Sequence, residues 1–184
     1  MANDGGGGGA YITVYPKGSH DGQSPEATIF DSVGLISIAG LAVHGSTIYA
    51  SVQDFNFNSE INEYPSNSNG TVTAFPQIGG LTSPMGVAVE GNGESVVADG
   101  ASIKIFAADA NGSPPPLQTI AGSATKLNGP MGVCTGSSTI YAVDSATPAL
   151  TSYSVHLNGN KPPATDVTGS LTQLATPVGI AFGP

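Results

Sequence analysis

His44, Glu90 and Thr135 each follow a short apolar segment built around a glycine, and they are the residues of this chain best placed to do chemistry. If those segments lie side by side, the three side chains gather at one end of them. An imidazole beside a carboxylate there can bind a divalent metal or serve as general base and acid. Glu90 and His44 are accordingly the candidate catalytic pair. The competing account, solvated turns at the ends of buried segments, needs no chemistry and is preferred. Asp99 and Asp144 close a second set of apolar segments, and carboxylates converging there could hold calcium. Their recurrence better suits carboxylates that accept hydrogen bonds from the turn that follows. A divalent metal such as Ca is the one cofactor left open; otherwise none is expected.

Met85 and Met131 adjoin the same glycine-centred segments, and two thioethers could take Cu(I), but no His lies beside the single thiol, Cys134. Methionines that fill irregular space and a buried, inert cysteine are the expected roles. One cysteine allows no intramolecular disulfide. No Gly-x-Ser-x-Gly nucleophile turn, no Gly-x-x-x-x-Gly-Lys phosphate loop and no His-Glu-x-x-His helix occurs. Gly5 to Gly9 carries no Lys and opens no helix, so it reads as a flexible linker. Asn69-Gly-Thr71 and Asn111-Gly-Ser113 match the N-glycosylation pattern, yet turn chemistry explains both without a sugar.

The elements that must position these residues come from an internal repeat. Leu81-Thr-Ser-Pro-Met-Gly-Val-Ala-Val89, Leu127-Asn-Gly-Pro-Met-Gly-Val-Cys-Thr135 and Leu174-Ala-Thr-Pro-Val-Gly-Ile-Ala-Phe182 align, and Ile36-Ser-Ile-Ala-Gly-Leu-Ala-Val43 is a fainter fourth. Their anchors Gly40, Gly86, Gly132 and Gly179 are separated by 46, 46 and 47 residues. The first three are followed by the apolar runs Thr47–Ser51, Ser95–Asp99 and Thr139–Asp144, and the segments ending in an aromatic close at Tyr15, Tyr64, Phe106 and Tyr153. The pairs Asn69-Gly70, Asn111-Gly112 and Asn158-Gly159 come next, with Asp21-Gly22 in the first period, and they read as turns to a fourth segment. Four short alternating strands per period of about 46 residues is the arithmetic of a β-propeller blade.

Composition agrees. The 26 Gly and 14 Pro in 184 residues, with only 9 % charged, argue against a helical bundle, while an apolar share of 39 % supplies the core of one domain. Thirteen carboxylates face four Lys and no Arg, giving −9, so no nucleic acid partner is expected, because phosphate binding needs clustered basic groups. No apolar run is long enough for a membrane span, and no signal peptide is visible.

The succession Leu-x-x-Pro-x-Gly-[Val/Ile]-Ala, Ile-Tyr-Ala-x-Asp, Ile-x-x-Tyr/Phe, Asn-Gly-x-x-x-Pro and Gly-Ser-x-Thr resembles NHL-type propeller repeats, above all the Gly- and Thr-rich forms of secreted or surface bacterial proteins. The resemblance implies an all-β β-propeller of four-stranded antiparallel blades that binds a protein or glycan partner, in a secreted or cell-surface setting. It also admits a metal-dependent lactonase- or lyase-like hydrolase, although such enzymes use a denser ligand set than His44 and Glu90 supply. Where the family usually carries Asp after the glycine-centred segment, this chain has His44, Glu90, Thr135 and Phe182 or Gly183.

The ends are out of phase with the blades. A Gly-rich segment over 1–10 precedes a propeller over 11–184, the C-terminus Val178–Pro184 supplies an innermost strand, and Met1–Asp4 resembles the tail of a second strand. Either the termini join to close a small four-bladed ring, or the chain belongs to a longer propeller. Exposed strand edges are a liability, which favours the second. An open blade also admits a homo-oligomer in which a neighbour donates a strand, so a structural module assembling this way is the third expectation. The leading one is a non-enzymatic binding or scaffold module.

Overall fold

The computed structural model describes residues 1–4 and 8–183, and its regular elements are strands with two 3-10 turns, Ser123–Thr125 and Ser170–Thr172. Three consecutive meanders match the repeat. They are β4 (Leu35–His44), β5 (Thr47–Asp54), β6 (Ser59–Pro65) and β8 (Gln77–Ile78); then β9 (Pro84–Val89), β10 (Ser95–Asp99), β11 (Ser102–Phe106) and β12 (Gln118–Ala121); then β13 (Pro130–Thr135), β14 (Thr139–Asp144), β15 (Ala149–Ser154) and β16 (Thr165–Thr168). Each forms a four-stranded antiparallel sheet. The first sheet of the chain is different: β1 (Ala2–Asn3), β2 (Tyr11–Val14) and β3 (Ala27–Asp31) are antiparallel, and β3 then pairs in parallel with β7 (Gly70–Val72), which comes from the second sheet's loop.

Because β1 pairs Ala2 with Ile12 and Asn3 with Tyr11, the expected boundary between 1–10 and 11–184 passes through a sheet. The linker expected at Gly5 to Gly9 lies in part, at Gly5 to Gly7, outside the described residues. Among the described residues, Val178–Phe182 differs from the expected innermost strand, since it joins no sheet, and no sheet contains both termini.

Period-two alternation sends the side chains of each strand to opposite faces, and successive sheets share three cores. Ile12 and Ile29 meet Ile48, Ala50 and Val52 between the first two sheets. From the other face of the second sheet, Tyr49, Ile61 and Ile78 meet Val87, Val97 and Phe106. Ile103, Ile105 and Ile120 meet Val133, Ile140 and Tyr153 between the last two. Fully burying one such aliphatic side chain is worth roughly 1.5–3 kcal/mol. The third-segment aromatics Tyr64, Phe106 and Tyr153 are buried, whereas Tyr15 is partly exposed.

The glycine anchors set the distance between sheets. A Cβ on Gly40 would collide with the Met85 carbonyl, one on Gly86 would lie 2.9 Å from Gly132 Cα, and one on Gly132 would lie 3.1 Å from Gly179 Cα. The four segments therefore stack backbone against backbone around a narrow cavity of about 160 Å³. A Cβ on Gly179 would meet nothing within 4 Å, so the row stops there.

The Asn-Gly pairs do more than turn the chain. Asn69, Asn111 and Asn158 each use the side-chain oxygen to accept a backbone N–H from the preceding sheet, from Thr28 (3.1 Å), Gln77 (3.2 Å) and Thr119 (3.0 Å). The glycines beside them bridge in parallel to Ile29, Ile78 and Ile120. These pairs are clasps between neighbouring sheets. If the glycine row sets the packing, Gly86→Ala lowers stability by about 1–3 kcal/mol, and Gly179→Ala changes it by less than about 0.5 kcal/mol. Urea unfolding of both variants measures this, and equal losses contradict it.

Candidate functional site

Glu90 sits in the tight turn between β9 and β10, where its N–H donates to the Glu94 carbonyl at 2.9 Å and its own carbonyl accepts from Gly93 at 2.9 Å. Burial pushes its carboxyl up, the Glu94 carboxylate pushes the same way, and His156 opposes them. The imidazole that bears on Glu90 is thus His156, from the segment after β15, and no hydrogen bond or ion pair among the described residues joins Glu90 to His44. His44 ends β4 opposite Thr47. The Thr135 hydroxyl donates to the Val89 carbonyl at 3.4 Å, which ties the third and fourth sheets. Among the described residues no three His, Cys, Asp or Glu side chains gather as a metal site.

Asp99 and Asp144 are both buried and both pin loops. Asp99 accepts the N–H groups of Thr82 (2.8 Å) and Ser83 (2.6 Å) and pairs with Lys104 at 2.6 Å. Asp144 accepts those of Asn128 (2.6 Å) and Gly129 (2.8 Å), and that of Thr147 at 3.0 Å. Most of these donors precede the innermost strand, so the carboxylates hold that strand's entry and only Asp144 also holds the turn that follows. Met85 packs beside the core of the last two sheets, Met131 lines the axial cavity, and Cys134 is buried with its thiol pushed up by burial.

Polar side chains also gather at a different place. Between the second and third sheets lies a cleft of about 580 Å³, lined by Gln53, Phe57, Asn58, Glu60, Gln77, Asn111 and neighbouring small residues. Its rim is a turn organised by Asp54, whose Oδ1 accepts the N–H groups of Asn56 (2.9 Å) and Asn58 (2.8 Å). Burial works against the Asp54 anion, but these bonds and those from the two amide side chains outweigh it and hold the carboxyl below its usual range. Phe57 projects from this turn at 75 % exposure. On the floor, Gln77 donates to Glu60 (3.4 Å) and Asn62 (3.2 Å); Asn62 and Tyr64 donate to Asp31 across the sheet boundary, at 3.4 and 2.8 Å. Burial, then Asp54 and Asp31, push the Glu60 carboxyl up.

The repeat concealed this cleft, because its residues are where the periods differ. The signal was Phe55-Asn-Phe-Asn58, which stands where the other periods carry Gly100-Ala101 and Ser145-Ala-Thr-Pro148.

Comparison with known proteins places the fold. No protein-family model matches the chain, and no curated protein matches it. Among solved structures it is similar to a chain from a nidogen/laminin complex, with a TM-score of 0.63 and 14 % identity over 80 % of this chain and 52 % of that one. It is also similar to the computationally designed Ika8 protein, with a TM-score of 0.57 and 11 % identity over 84 % of this chain and 43 % of that one. The chain spans about half the length of the structures it matches. The fold is all-β and propeller-like.

Burial pushes the Glu63 carboxyl up to about 7. It lies opposite Tyr49 in the β5–β6 ladder, away from the cleft lining, and Tyr49 is itself pushed up by burial and by Glu63. Its raised folded-state value makes the protonated form the stabilising one. That contribution is complete below the ordinary carboxyl value and is lost as pH rises through about 7. Wild-type stability is expected to fall between about pH 5 and pH 8 by up to about 1.4 kcal/mol per pH unit. Glu63→Gln flattens that fall. Urea unfolding at the two pH values measures it, and a variant with an unchanged slope refutes it.

Proposed function

We propose that this chain is a non-enzymatic module of the NHL propeller type, from a secreted or surface protein, which binds a protein or glycan partner through a preformed cleft. The cleft between the second and third sheets carries the reading. Its backbone is fixed by the Asn111 clasp and by Asp54, while Phe57 is left facing solvent and Gln53, Asn58 and Glu60 line the opening. A preformed concavity with a few convergent polar groups is the usual form of a binding site. The similarity to a chain from a nidogen/laminin complex adds a case in which this fold takes part in a protein assembly. The rival is a metal-assisted hydrolase using Glu90 and His44. Metal analysis of purified protein separates them: the binding module carries no stoichiometric divalent ion, and an ion lost on Glu90→Ala overturns the reading.

A second reading rests on the first sheet. An apolar groove of about 610 Å³ runs between β2 and β4, lined by Met1, Ile12, Val14, Leu41, Val43 and Ile48. Val178–Phe182 has the pattern of an innermost strand but joins no sheet, and Val178 and Phe182 are exposed. Laid beside β1 of a second copy, this segment would extend that sheet and cover the groove. The contact is heterologous and repeats, so mass grows with concentration. Light scattering is expected to show growth that Val178→Asp abolishes; a wild-type chain that stays monomeric at its highest soluble concentration removes this reading.

A further inference from the structure

Resting on the reading of the chain as a binding module, we propose that the cleft between the second and third sheets takes a neutral carbohydrate, with Phe57 as the stacking platform and Gln53, Asn58, Glu60 and Gln77 as hydroxyl partners.

Phe57 is the first ground. Among the described residues, three other than glycine have positive φ: Phe57 (63°), Lys126 (64°) and Gln173 (58°). Lys126 and Gln173 occupy the same place in two periods, each ending a 3-10 turn of the Gly-Ser-x-Thr connection, so their conformation belongs to the repeat. Phe57 has no such counterpart. Its left-handed backbone is unfavourable for a bulky side chain and is maintained by the Asp54 hydrogen bonds, with the Phe57 N–H donating to the Asp54 carbonyl at 3.0 Å. Its neighbour Phe55 packs over Gly34, where a Cβ would lie 2.5 Å from the ring, so Phe55 has a structural role. Phe57 has no comparable burial. A strained turn that holds a large apolar ring in water calls for a ligand.

The chemistry of the lining selects the ligand. A pyranose offers an apolar C–H face to the negative face of an aromatic ring. Its hydroxyls both donate and accept, which matches amides, that carry both functions, and a carboxylate that accepts. The cleft is lined by Gln53, Asn58, Gln77 and Asn111 and by one carboxylate, Glu60, with no Lys or Arg. That lining and a net charge of −9 disfavour an anionic sugar. An extended peptide would instead seek the free edge of a strand. The edge at β8 is already used: Gln77 N–H donates to Asn111 Oδ1, Gln77 carbonyl accepts from Gly112 at 2.8 Å, and Gly79 N–H donates to the Gly112 carbonyl at 2.6 Å.

The test is a titration of the isotope-labelled chain, followed by amide chemical shifts, with maltotetraose, cellotetraose, mannotetraose and tetra-acetylchitotetraose. At least one sugar is expected to move the amides of residues 53–60, 77–82 and 111–113 saturably. Phe57→Ala weakens that binding by about tenfold or more, and Phe57→Tyr, which keeps the ring, retains it. The spectrum of each variant reports its folding directly. A parallel titration with uncharged acetylated tetrapeptides separates the two levels of inference. Shifts in the cleft with peptides alone overturn the carbohydrate assignment and leave the binding module standing; no shift with either set overturns both. Sugar binding that Phe57→Ala leaves intact overturns the assigned site.

Discussion

The innermost segments approach so closely that no side chain fits between them, and the remaining architecture follows from this contact. Gly40, Gly86 and Gly132 each lie against the next backbone, and Gly179 ends the row. The spacing brings neighbouring sheets near enough for their aliphatic faces to share one dry core each. Where the row ends, at Gly179, regular pairing also ends. Val178–Phe182 still lies against β13, and Phe182 stacks on Tyr141 with ring centroids 6.0 Å apart.

Away from the axis, the sheets are held together by polar groups that cross from one to the next. The asparagine clasps act at the third-to-fourth-strand loops, Tyr64 reaches Asp31, and Tyr153 donates to the Thr125 carbonyl at 2.7 Å. A buried tyrosine hydroxyl or carboxylate left without a partner would be costly, so these bonds favour one particular juxtaposition of sheets. The division of labour is physical: glycines and aliphatic faces supply attraction and distance, and the directional bonds select the register.

The same logic separates structural acids from available ones. Asp31, Asp54, Asp99 and Asp144 are buried, and each accepts backbone N–H groups, so their charge is committed to loop geometry. Glu60 differs because it lines an open cleft and accepts from the Gln77 side-chain amide. The second sheet is therefore where a fixed backbone, an exposed aromatic ring and polar side chains at an opening coincide, and this makes its cleft the better candidate than the turns bearing His44, Glu90 and Thr135.

The sequence by itself determined the period, the strand succession and the glycine anchors, because repeated local patterns record the same packing problem solved again in each sheet. It also determined that Met85 and Cys134 fill space. Only the tertiary structure decided what the recurring polar residues do. Asn69, Asn111 and Asn158 read as turn formers, since the sheet they bind is about 40 residues away in the chain and becomes a neighbour only on folding. The cleft was hidden for the opposite reason. Phe57, Glu60 and Gln77 do not repeat, and a periodic reading discards what occurs once, so the cleft that sets them against Asn111 of the third sheet emerged only when the glycine row brought the two sheets together.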